Sequence, residues 1–396
     1  MRSALDGLDI TRPGFFLRDD YDDVLAWLRA NDPVHELADG SWLVSTYDDI
    51  REISRQPELF SSRRGALVND PLRGSEPNDA SGSLLHLDPP IHADYRKLLN
   101  RRFTPRAAGS MEDGIRAIVT EVLDGLAPGD DIDAVERIAA PIPVGVIAEL
   151  LGIADGDRSD FRRWSDAIIE ISDHPGDEAV MVAAAEMFAF LDAHVQARVA
   201  DPRDDLISAL VGAEVAGAAL TPAQVLMFCL TLLVAGNETT RSLLSGGMHA
   251  LAEHPEQRAA VAADPSMIGG AVEECLRWVT PIQAFCRTTT QPTEVGGTAI
   301  PADAYLVMLY ASANRDESIF GPTAGSFDVT RPATPGHLAF GFGEHLCLGA
   351  ALARLEGKIV LEELLARFPD YAVVGSPTYV PSTLTRSMDT LPIRLA

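Results

Sequence analysis

The sequence predicts a mainly helical protein with a minor β region, and two observations support this fold class. First, apolar residues recur at spacings of three and four from about residue 20 to residue 280, as in amphipathic helices. Second, strand-like segments are short and occur in only two places, 34–45 and 285–309. These places lie in different halves of the chain, with no linker or internal repeat between them. We therefore expect one domain that spans residues 1–396.

Short elements precede and follow a long central helix. Gly40 divides segment 34–45 into a predicted hairpin, and Gly296 with Gly297 forms the predicted turn within 285–309. Segment 63–83 is rich in Gly, Pro, Asp and Asn and has little periodicity, which is typical of a functional lid or a mobile segment. One predicted helix carries apolar residues at helical spacing, namely Ile115, Ile118, Val119, Val122, Leu123 and Leu126.

The longest predicted helix begins at Thr221, which is a favourable N-cap followed by Pro222 and the capping-box residue Gln224. It can continue to about Glu253, a length of about 50 Å at 1.5 Å per residue. Its middle, 235–240, reads AGNETT and places polar residues where apolar packing is expected. A solvated stripe is one interpretation. The apolar run just upstream favours burial instead, and buried polar groups need a partner or a purpose.

Composition and charge narrow the function classes. The 396 residues are 46% apolar and 23% charged, as in ordinary globular proteins. The formal net charge of -26 repels nucleic-acid phosphates and anionic lipid, so we expect a monomer without a nucleic-acid partner. The longest apolar run, 225–235, is shorter than the roughly 18 residues of a spanning helix, and the N-terminus lacks the pattern of a signal peptide. We expect no membrane association.

Four cysteines are present, and no two of them form a CxxC pair: Cys229, Cys275, Cys286 and Cys347. Neither a disulfide framework nor a zinc ribbon is indicated, and a reducing cytoplasm fits this usage best.

The segment most informative about chemistry is 340–349, FGFGEHLCLG, which precedes a predicted helix over 350–367. Its three glycines indicate tightly folded backbone, and Cys347 stands at a helix N-terminus, where a thiolate is stabilised as a metal ligand or nucleophile. A dinucleotide-binding fingerprint would need Gly at position 346, which is Leu. A nucleophilic cysteine would need a base, and His345 is too near in sequence. A buried structural cysteine remains open from spacing alone.

At these residues the sequence resembles the cytochrome P-450 family, the haem-thiolate monooxygenases of the bacterial kind. Segment 340–349 matches the signature Phe-x-x-Gly-x-(His/Arg)-x-Cys-x-Gly at every position. AGNETT at 235–240 is similar to the oxygen-activation segment of the family. ECLR at 274–277 and DPPIHADYR at 88–96 are similar to its Glu-x-x-Arg and His-x-x-x-Arg helices. The resemblance spans essentially the whole chain and implies a triangular helical prism that encloses haem b.

The resemblance implies a role for individual residues. Cys347 is expected to be the axial ligand of the haem iron. Four cationic side chains are expected to pair with the haem propionates: His92, Arg96, Arg287 and His345. Further cofactor contacts are expected from Ala235, Gly236, Phe340, Gly341 and Gly349, where Ala235 and Gly236 leave room for oxygen and substrate.

Two further groups are expected beside the haem contacts. Glu238 and Thr239 match the acid–alcohol pair that supplies the two protons consumed in dioxygen reduction. Glu274, Arg277 and Arg331 resemble a buried charge triad that locks the cysteine loop. Without the other motifs, Glu274 and Arg277 would be interpreted as a surface pair spaced i,i+3.

The resemblance also implies O2 as co-substrate and electrons from an external ferredoxin with an NAD(P)H-dependent reductase. Basic residues that could form a docking patch are Lys97, Arg101, Arg102, Arg106, Arg354 and Lys358. Solvated helix faces are the alternative interpretation of these six residues.

The substrate pocket is expected to be mostly apolar and to take a hydrophobic substrate. Its candidate residues are Val234, Ile282, Ala284, Phe285 and residues of the 63–85 loop. Several segments are similar to actinobacterial members that oxidise sterol side chains and branched lipids. A tailoring hydroxylase or epoxidase of terpenoids or polyketides is the alternative. A haem-binding sensor or carrier is disfavoured because it does not need the pair Glu238 and Thr239. A peroxygenase is disfavoured because such enzymes usually replace this pair.

Overall fold

The computed structural model describes residues 7–76, 83–153, 157, 160–161, 163–165, 167, 177–215 and 217–396. In the described chain the helices are α1 Tyr21–Asn31, α2 Tyr47–Ser54, α3 Ile91–Asn100, α4 Pro105–Gly109, α5 Glu112–Asp124, α6 Pro141–Leu151, α7 Glu178–Ala200, α8 Leu206–Val211, α9 Pro222–Glu253, α10 Pro255–Ala263, α11 Ile268–Val279, α12 Tyr310–Ala313, α13 Glu317–Phe320 and α14 Ala350–Arg367.

The strands are short. They are β1 Val34–Glu36, β2 Ser41–Val44, β3 Phe60–Ser61, β4 Asp131–Asp133, β5 Glu214–Val215, β6 Ala218–Ala219, β7 Ala284–Thr289, β8 Thr293–Val295, β9 Thr298–Ile300, β10 Tyr305–Leu309, β11 Ala372–Val373, β12 Thr378–Tyr379, β13 Met388–Thr390 and β14 Pro392–Arg394. Helices dominate, which confirms the predicted fold class.

The long helix α9 forms where the sequence predicts it. The Thr221 hydroxyl accepts from the Gln224 backbone N–H, and the Gln224 side chain accepts from the Thr221 backbone N–H, so the capping box is complete. The helix packs against α6, α7, α11 and α14. Within its polar segment, Asn237 is 2% exposed and Thr240 is 4% exposed. The interpretation as a solvated stripe is therefore wrong for these two residues.

The main sheet has five strands in the order β1-β2-β10-β7-β3. The predicted hairpin about Gly40 is the antiparallel pair β1–β2, and the hairpin about Gly296 and Gly297 is β8–β9. Both glycines of the second turn have positive φ, which a residue with a side chain adopts at a cost. The sheet thus joins strands from both halves of the chain.

Side chains alternate along β10, so the two faces of the sheet pack against different apolar clusters. Tyr305 and Val307 face a cluster that includes the N-terminal Phe16, whereas Leu306 and Met308 face a cluster with α2. The largest apolar cluster lies among the helices, on and around α9. In the part of the chain that the structure describes, no helix combines the length and apolar composition needed to cross a membrane.

Candidate active site

The loop before α14 folds tightly and presents Cys347 at its end. The Cys347 backbone N–H donates to the Phe340 carbonyl at 2.8 Å, which closes the loop on itself. Gly341 and Gly343 have φ values of 70° and 71°. A Cβ at Gly343 would lie 2.1 Å from the Ser54 carbonyl oxygen of α2, so glycine is required there for close approach. Gly349 is the N-cap of α14.

Cys347 is an exposed free cysteine, whereas Cys229, Cys275 and Cys286 are free and buried. The interpretation of Cys347 as a buried structural cysteine is therefore wrong. Nearby protein nevertheless desolvates the sulfur and raises the pKa of the thiol, although the Gly349 backbone amide acts in the opposite direction. The sequence argument considered only the helix N-terminus. In this structure desolvation outweighs it.

Cationic side chains from three separate parts of the chain converge near the cysteine loop. His92 and Arg96 lie on α3, Arg287 lies on β7, and His345 lies two residues before Cys347. The His92 and His345 rings are 4.3 Å apart between centroids. Arg96 donates to the Leu346 carbonyl at 2.7 Å, and Arg287 donates to the Cys286 carbonyl at 2.7 Å.

The two arginines have carbonyl partners, and none of these four side chains forms an ion pair with a carboxylate among the residues described. Burial, followed by the charges of Arg96 and Arg287, lowers the pKa of His92 to about 4. Burial, followed by the charge of Arg287, lowers the pKa of His345 to about 2. Two guanidinium groups, buried at Arg287 and partly buried at Arg96, lie beside two imidazoles and form a site that favours an added anionic group.

Glu238 and Thr239 lie side by side on α9, and both are partly buried. The Thr239 hydroxyl donates to the Ala235 carbonyl one turn earlier at 2.7 Å. The Glu238 Oε1 atom accepts from the Thr385 hydroxyl at 2.7 Å and from the Ser387 hydroxyl at 3.3 Å. The carboxylate is therefore held by the C-terminal segment of the chain, 147 residues away in sequence.

Glu274, Arg277 and Arg331 are brought together as one buried cluster. Arg277 donates to both carboxylate oxygens of Glu274 at 2.7 Å, and Arg331 donates to Oε2 at 3.1 Å. The side chains of Glu274 and Arg277 are 1% and 2% exposed, so the interpretation as a surface pair is wrong. Arg277 also donates to the carbonyls of Asn314, Ala324 and Ser326, which ties α11 to the segment leading to the cysteine loop.

Known proteins are similar to this chain in sequence and in fold. A family model for cytochrome P450 matches residues 176–370. The chain is 37% identical over 374 residues to the steroid C26-monooxygenase of Mycobacterium tuberculosis, covering 93% of this chain and 92% of the relative. The chain belongs to the cytochrome P450 family. It is also 37% identical over 378 residues to the vitamin D(3) 25-hydroxylase of Pseudonocardia autotrophica, covering 93% of this chain and 92% of that enzyme.

The fold agrees with the family assignment. The crystal structure of a post-tailoring hydroxylase involved in himastatin biosynthesis superposes with a TM-score of 0.83 at 35% identity, covering 94% of this chain and 96% of that one. The protein has the cytochrome P450 fold and is a haem b monooxygenase that hydroxylates a hydrophobic substrate. The guanidinium groups of Arg96 and Arg287, which have no acidic partner among the described residues, fit this cofactor, because its two propionates would supply the missing negative charge.

One pocket prediction is wrong, and one glycine has a packing role that the sequence does not indicate. Gly236 is expected to leave room for oxygen and substrate, and in the structure a Cβ there would lie 2.7 Å from Ile147 Cδ1 of α6. Its missing side chain allows the two helices to pack closely. Ala284 was expected to line the pocket, but it is fully buried in the cluster with Leu309. Strand alternation places Ala284 on the face of β7 opposite to Phe285.

The other pocket candidates differ in solvent exposure. Val234 is 39% exposed, although the helix that carries it is packed against four others. Ile282 and Phe285 are partly buried, and the Phe285 ring lies 6.2 Å from the Tyr310 ring. Of the 63–85 loop, residues 77–82 lie outside the described chain.

Sequence reasoning missed Thr385 and Ser387, which hold Glu238. Both lie outside the motifs of the family, and their distance along the chain leaves no periodic signal. It also missed Arg51 of α2 and Arg55, the residue that follows α2. Their guanidinium groups lie 4.5 Å and 4.9 Å from the Phe342 ring centroid, beside the cysteine loop.

The predicted basic patch is partly neutralised. Arg102 pairs with Asp204 at 2.9 Å, Arg354 with Glu273 at 2.6 Å and Lys358 with Glu362 at 3.6 Å. The remaining three predicted members are exposed and have no ion pair within the described chain: Lys97, Arg101 and Arg106.

Proposed function

We propose that this cytochrome P450 hydroxylates a sterol side chain or a similar branched lipid, and that Cys347 would hold the haem iron through its sulfur. One observation carries the site assignment: an exposed cysteine lies near two guanidinium groups, Arg96 and Arg287, that have no acidic partner among the described residues. Support for the substrate class comes from the apolar pocket candidates Val234, Ile282 and Phe285 and from the likeness to a steroid C26-monooxygenase. A one-domain organisation is part of this proposal.

In this proposal the chain positions the cofactor through charge and backbone geometry. Haem held by a thiolate supplies dioxygen activation and the insertion of one oxygen atom into a C–H bond. Arg96 and Arg287 bind the propionates as guanidinium groups, and His92 and His345 donate ring N–H groups in their neutral forms. Gly343 allows the cysteine loop to pack closely against α2, and the Glu274 cluster would help to hold that loop in place.

Glu238 and Thr239 move protons in this proposal. Dioxygen reduction consumes two protons, and these must reach the reacting oxygen without admitting bulk water to an apolar pocket. The Thr239 hydroxyl, which donates to the Ala235 carbonyl in the structure, would be the hydrogen-bond donor of this pair, and Glu238 would be the group that exchanges protons with solvent. The apolar side chains Val234 and Phe285 orient the substrate and exclude water.

Electrons come from a ferredoxin that is reduced by an NAD(P)H-dependent reductase. The docking face in this proposal lies around the cysteine loop and α3. It consists of cations that have no ion pair in the described chain, namely Arg51, Arg55, Lys97, Arg101 and Arg106. Such a face on a protein of net charge -26 attracts an acidic partner locally. We place this monomeric enzyme in the cytoplasm, since all four cysteines are free.

A second candidate function is the tailoring of a natural product by hydroxylation or epoxidation. The likeness to a post-tailoring hydroxylase involved in himastatin biosynthesis favours it.

Two measurements test the proposal. The ferrous protein with carbon monoxide is expected to show the red-shifted Soret band of thiolate ligation, and Cys347→Ser is expected to lose it. Cys229→Ala, at a buried free cysteine, is the control and keeps the band. A globin-like band in the unmodified protein would rule out Cys347 as the ligand.

The second measurement is a ligand screen by the low-spin to high-spin shift with sterols, vitamin D3, fatty acids, terpenoids and aromatic acids. A shift with sterols or vitamin D3 is expected. A shift with terpenoids alone supports the second candidate, and a shift with aromatic acids alone rejects the lipid proposal.

A further inference from the structure

The C-terminal segment 382–387 holds the carboxylate of Glu238 through two buried hydroxyl groups. Thr385 donates to Glu238 Oε1 at 2.7 Å, and Ser387 donates to the same atom at 3.3 Å. Thr385 and Ser387 are 1% and 2% exposed. An ionised carboxylate only accepts hydrogen bonds, so both hydroxyls must be the donors when Glu238 is charged.

A third hydroxyl extends this arrangement along α9. The Ser242 and Ser387 oxygens are 2.5 Å apart, and each hydroxyl has only one hydrogen to donate. Since the hydrogen of Ser387 is directed at Glu238, Ser242 donates to Ser387. The result is a directed chain from Ser242 through Ser387 to Glu238 Oε1. Within the described chain Glu238 Oε2 accepts no hydrogen bond, so the carboxylate has one held oxygen and one available oxygen.

The segment that carries Thr385 is itself fixed by backbone hydrogen bonds that do not involve its hydroxyl. The Thr385 backbone N–H donates to the Ser382 hydroxyl oxygen at 3.1 Å. The Gln283 backbone N–H donates to the Leu384 carbonyl at 2.9 Å, and Thr385 forms a β-bridge with Ile282. The segment therefore lies between the pocket residue Ile282 and the acid on α9.

We propose that Thr385, supported by Ser387, is a positioning residue that orients Glu238 for proton delivery by holding Oε1 and leaving Oε2 free. The inference rests on the proposed function of Glu238. The carboxyl that gives up a proton from Oε2 regains one from water, so the group is restored in each cycle. Because Thr385 also pairs with Ile282, a substrate that displaces Ile282 shifts the hydroxyl that holds the acid. The pocket and the proton supply are thus coupled through one residue.

The test compares Thr385→Val, Thr385→Ser and Glu238→Gln in the haem-loaded protein. Valine has nearly the shape of threonine and leaves the backbone bonds of the segment intact, whereas serine keeps the hydroxyl. The first readout does not depend on turnover: the C–O stretching frequency of the ferrous carbon monoxide complex, which responds to charge near the ligand. Thr385→Val is expected to shift this frequency, and Thr385→Ser is expected to restore it.

The second readout is the fraction of NADPH electrons recovered as hydrogen peroxide, with a surrogate ferredoxin and reductase and with vitamin D3 as the added probe. Thr385→Val is expected to raise this fraction by about twofold or more, and Thr385→Ser is expected to return it to the starting value. In the Glu238→Gln background, Thr385→Val is expected to add nothing further. The Soret position and the thermal midpoint are expected to stay unchanged in Thr385→Val.

The outcomes separate the inference from the function on which it rests. If Glu238→Gln changes both readouts and Thr385→Val changes neither, the positioning role is overturned while the proton-delivery role of Glu238 stands. If Thr385→Ser behaves like Thr385→Val, the hydroxyl is not the active group and the inference is also overturned. If Glu238→Gln itself leaves the peroxide fraction unchanged, the proposed role of Glu238 is overturned, and the inference with it.

Discussion

Replacing Glu356 with glutamine is expected to make the stability of the protein less dependent on pH. Glu356 lies on α14 and is 3% exposed, and its Oε2 atom has no hydrogen-bond partner. Desolvation raises the pKa of this carboxyl from 4.5 to about 8. The folded protein therefore holds a neutral glutamic acid at neutral pH, although the unfolded chain releases the proton.

The direction of the effect follows from the two pKa values. Below pH 4.5 the carboxyl is protonated in both states, and burial of the charge costs nothing. Between pH 4.5 and about 8 only the unfolded state ionises, so the free energy of unfolding falls as pH rises. At about 1.4 kcal/mol per pKa unit, this loss is on the order of 3 to 4 kcal/mol between pH 5 and pH 8. Glutamine does not ionise, so Glu356→Gln removes the loss.

Thermal unfolding at pH 5 and pH 8, followed by circular dichroism, measures the difference. With about 2 cal/mol/K of unfolding entropy per residue, a change of 3 to 4 kcal/mol corresponds to about 4 °C in a chain of 396 residues. The midpoint of Glu356→Gln relative to the unmodified protein is expected to be about 4 °C higher at pH 8 than at pH 5. Glu178→Gln, at an exposed glutamate, is the control for loss of a carboxylate. Parallel pH dependence in Glu356→Gln and the unmodified protein would refute the reasoning.

Three further changes test the cysteine loop, the buried charges and the docking face. Gly343→Ala places a Cβ against a backbone carbonyl at positive φ, so haem content per mole of protein, measured from the carbon monoxide band, is expected to fall severalfold. Arg277→Ala leaves Glu274 buried without its main partner and is expected to cost about 3–5 kcal/mol in the free energy of unfolding. Arg55→Gln is expected to slow reduction by ferredoxin severalfold at low salt and less at high salt, whereas Arg102→Gln, at a paired arginine, changes it little. Equal effects of the last two variants would contradict the proposed docking face.

Local patterns in the sequence were enough for the principal elements. The capping box at Thr221 predicts the start of α9, and the structure has its N-cap there. The predicted helix over 350–367 is α14, and Gly40 lies between the two strands of its predicted hairpin. These features depend on neighbours within a few residues. Their physical causes are helix capping, the periodicity of apolar residues and the backbone freedom of glycine.

The direction in which a side chain points depends on the tertiary structure. Ala284 and Phe285 were assigned to one pocket, although adjacent strand residues point to opposite faces, so the period of two already argued against the pair. The sequence does not show which residue lies beside Gly236, because only the packed structure places Ile147 there.

By itself the sequence determined the helical class, the long central helix and the motif around Cys347, because each depends on residues close together in the chain. Tertiary structure alone decided what surrounds these residues. It placed Thr385 against Glu238 across 147 residues and paired half of the expected basic patch with acids. It also gathered Arg96 and Arg287, which have no acidic partner in the described chain, near the cysteine loop. Such contacts depend on how distant segments pack, and local patterns such as apolar periodicity or helix caps do not predict that packing.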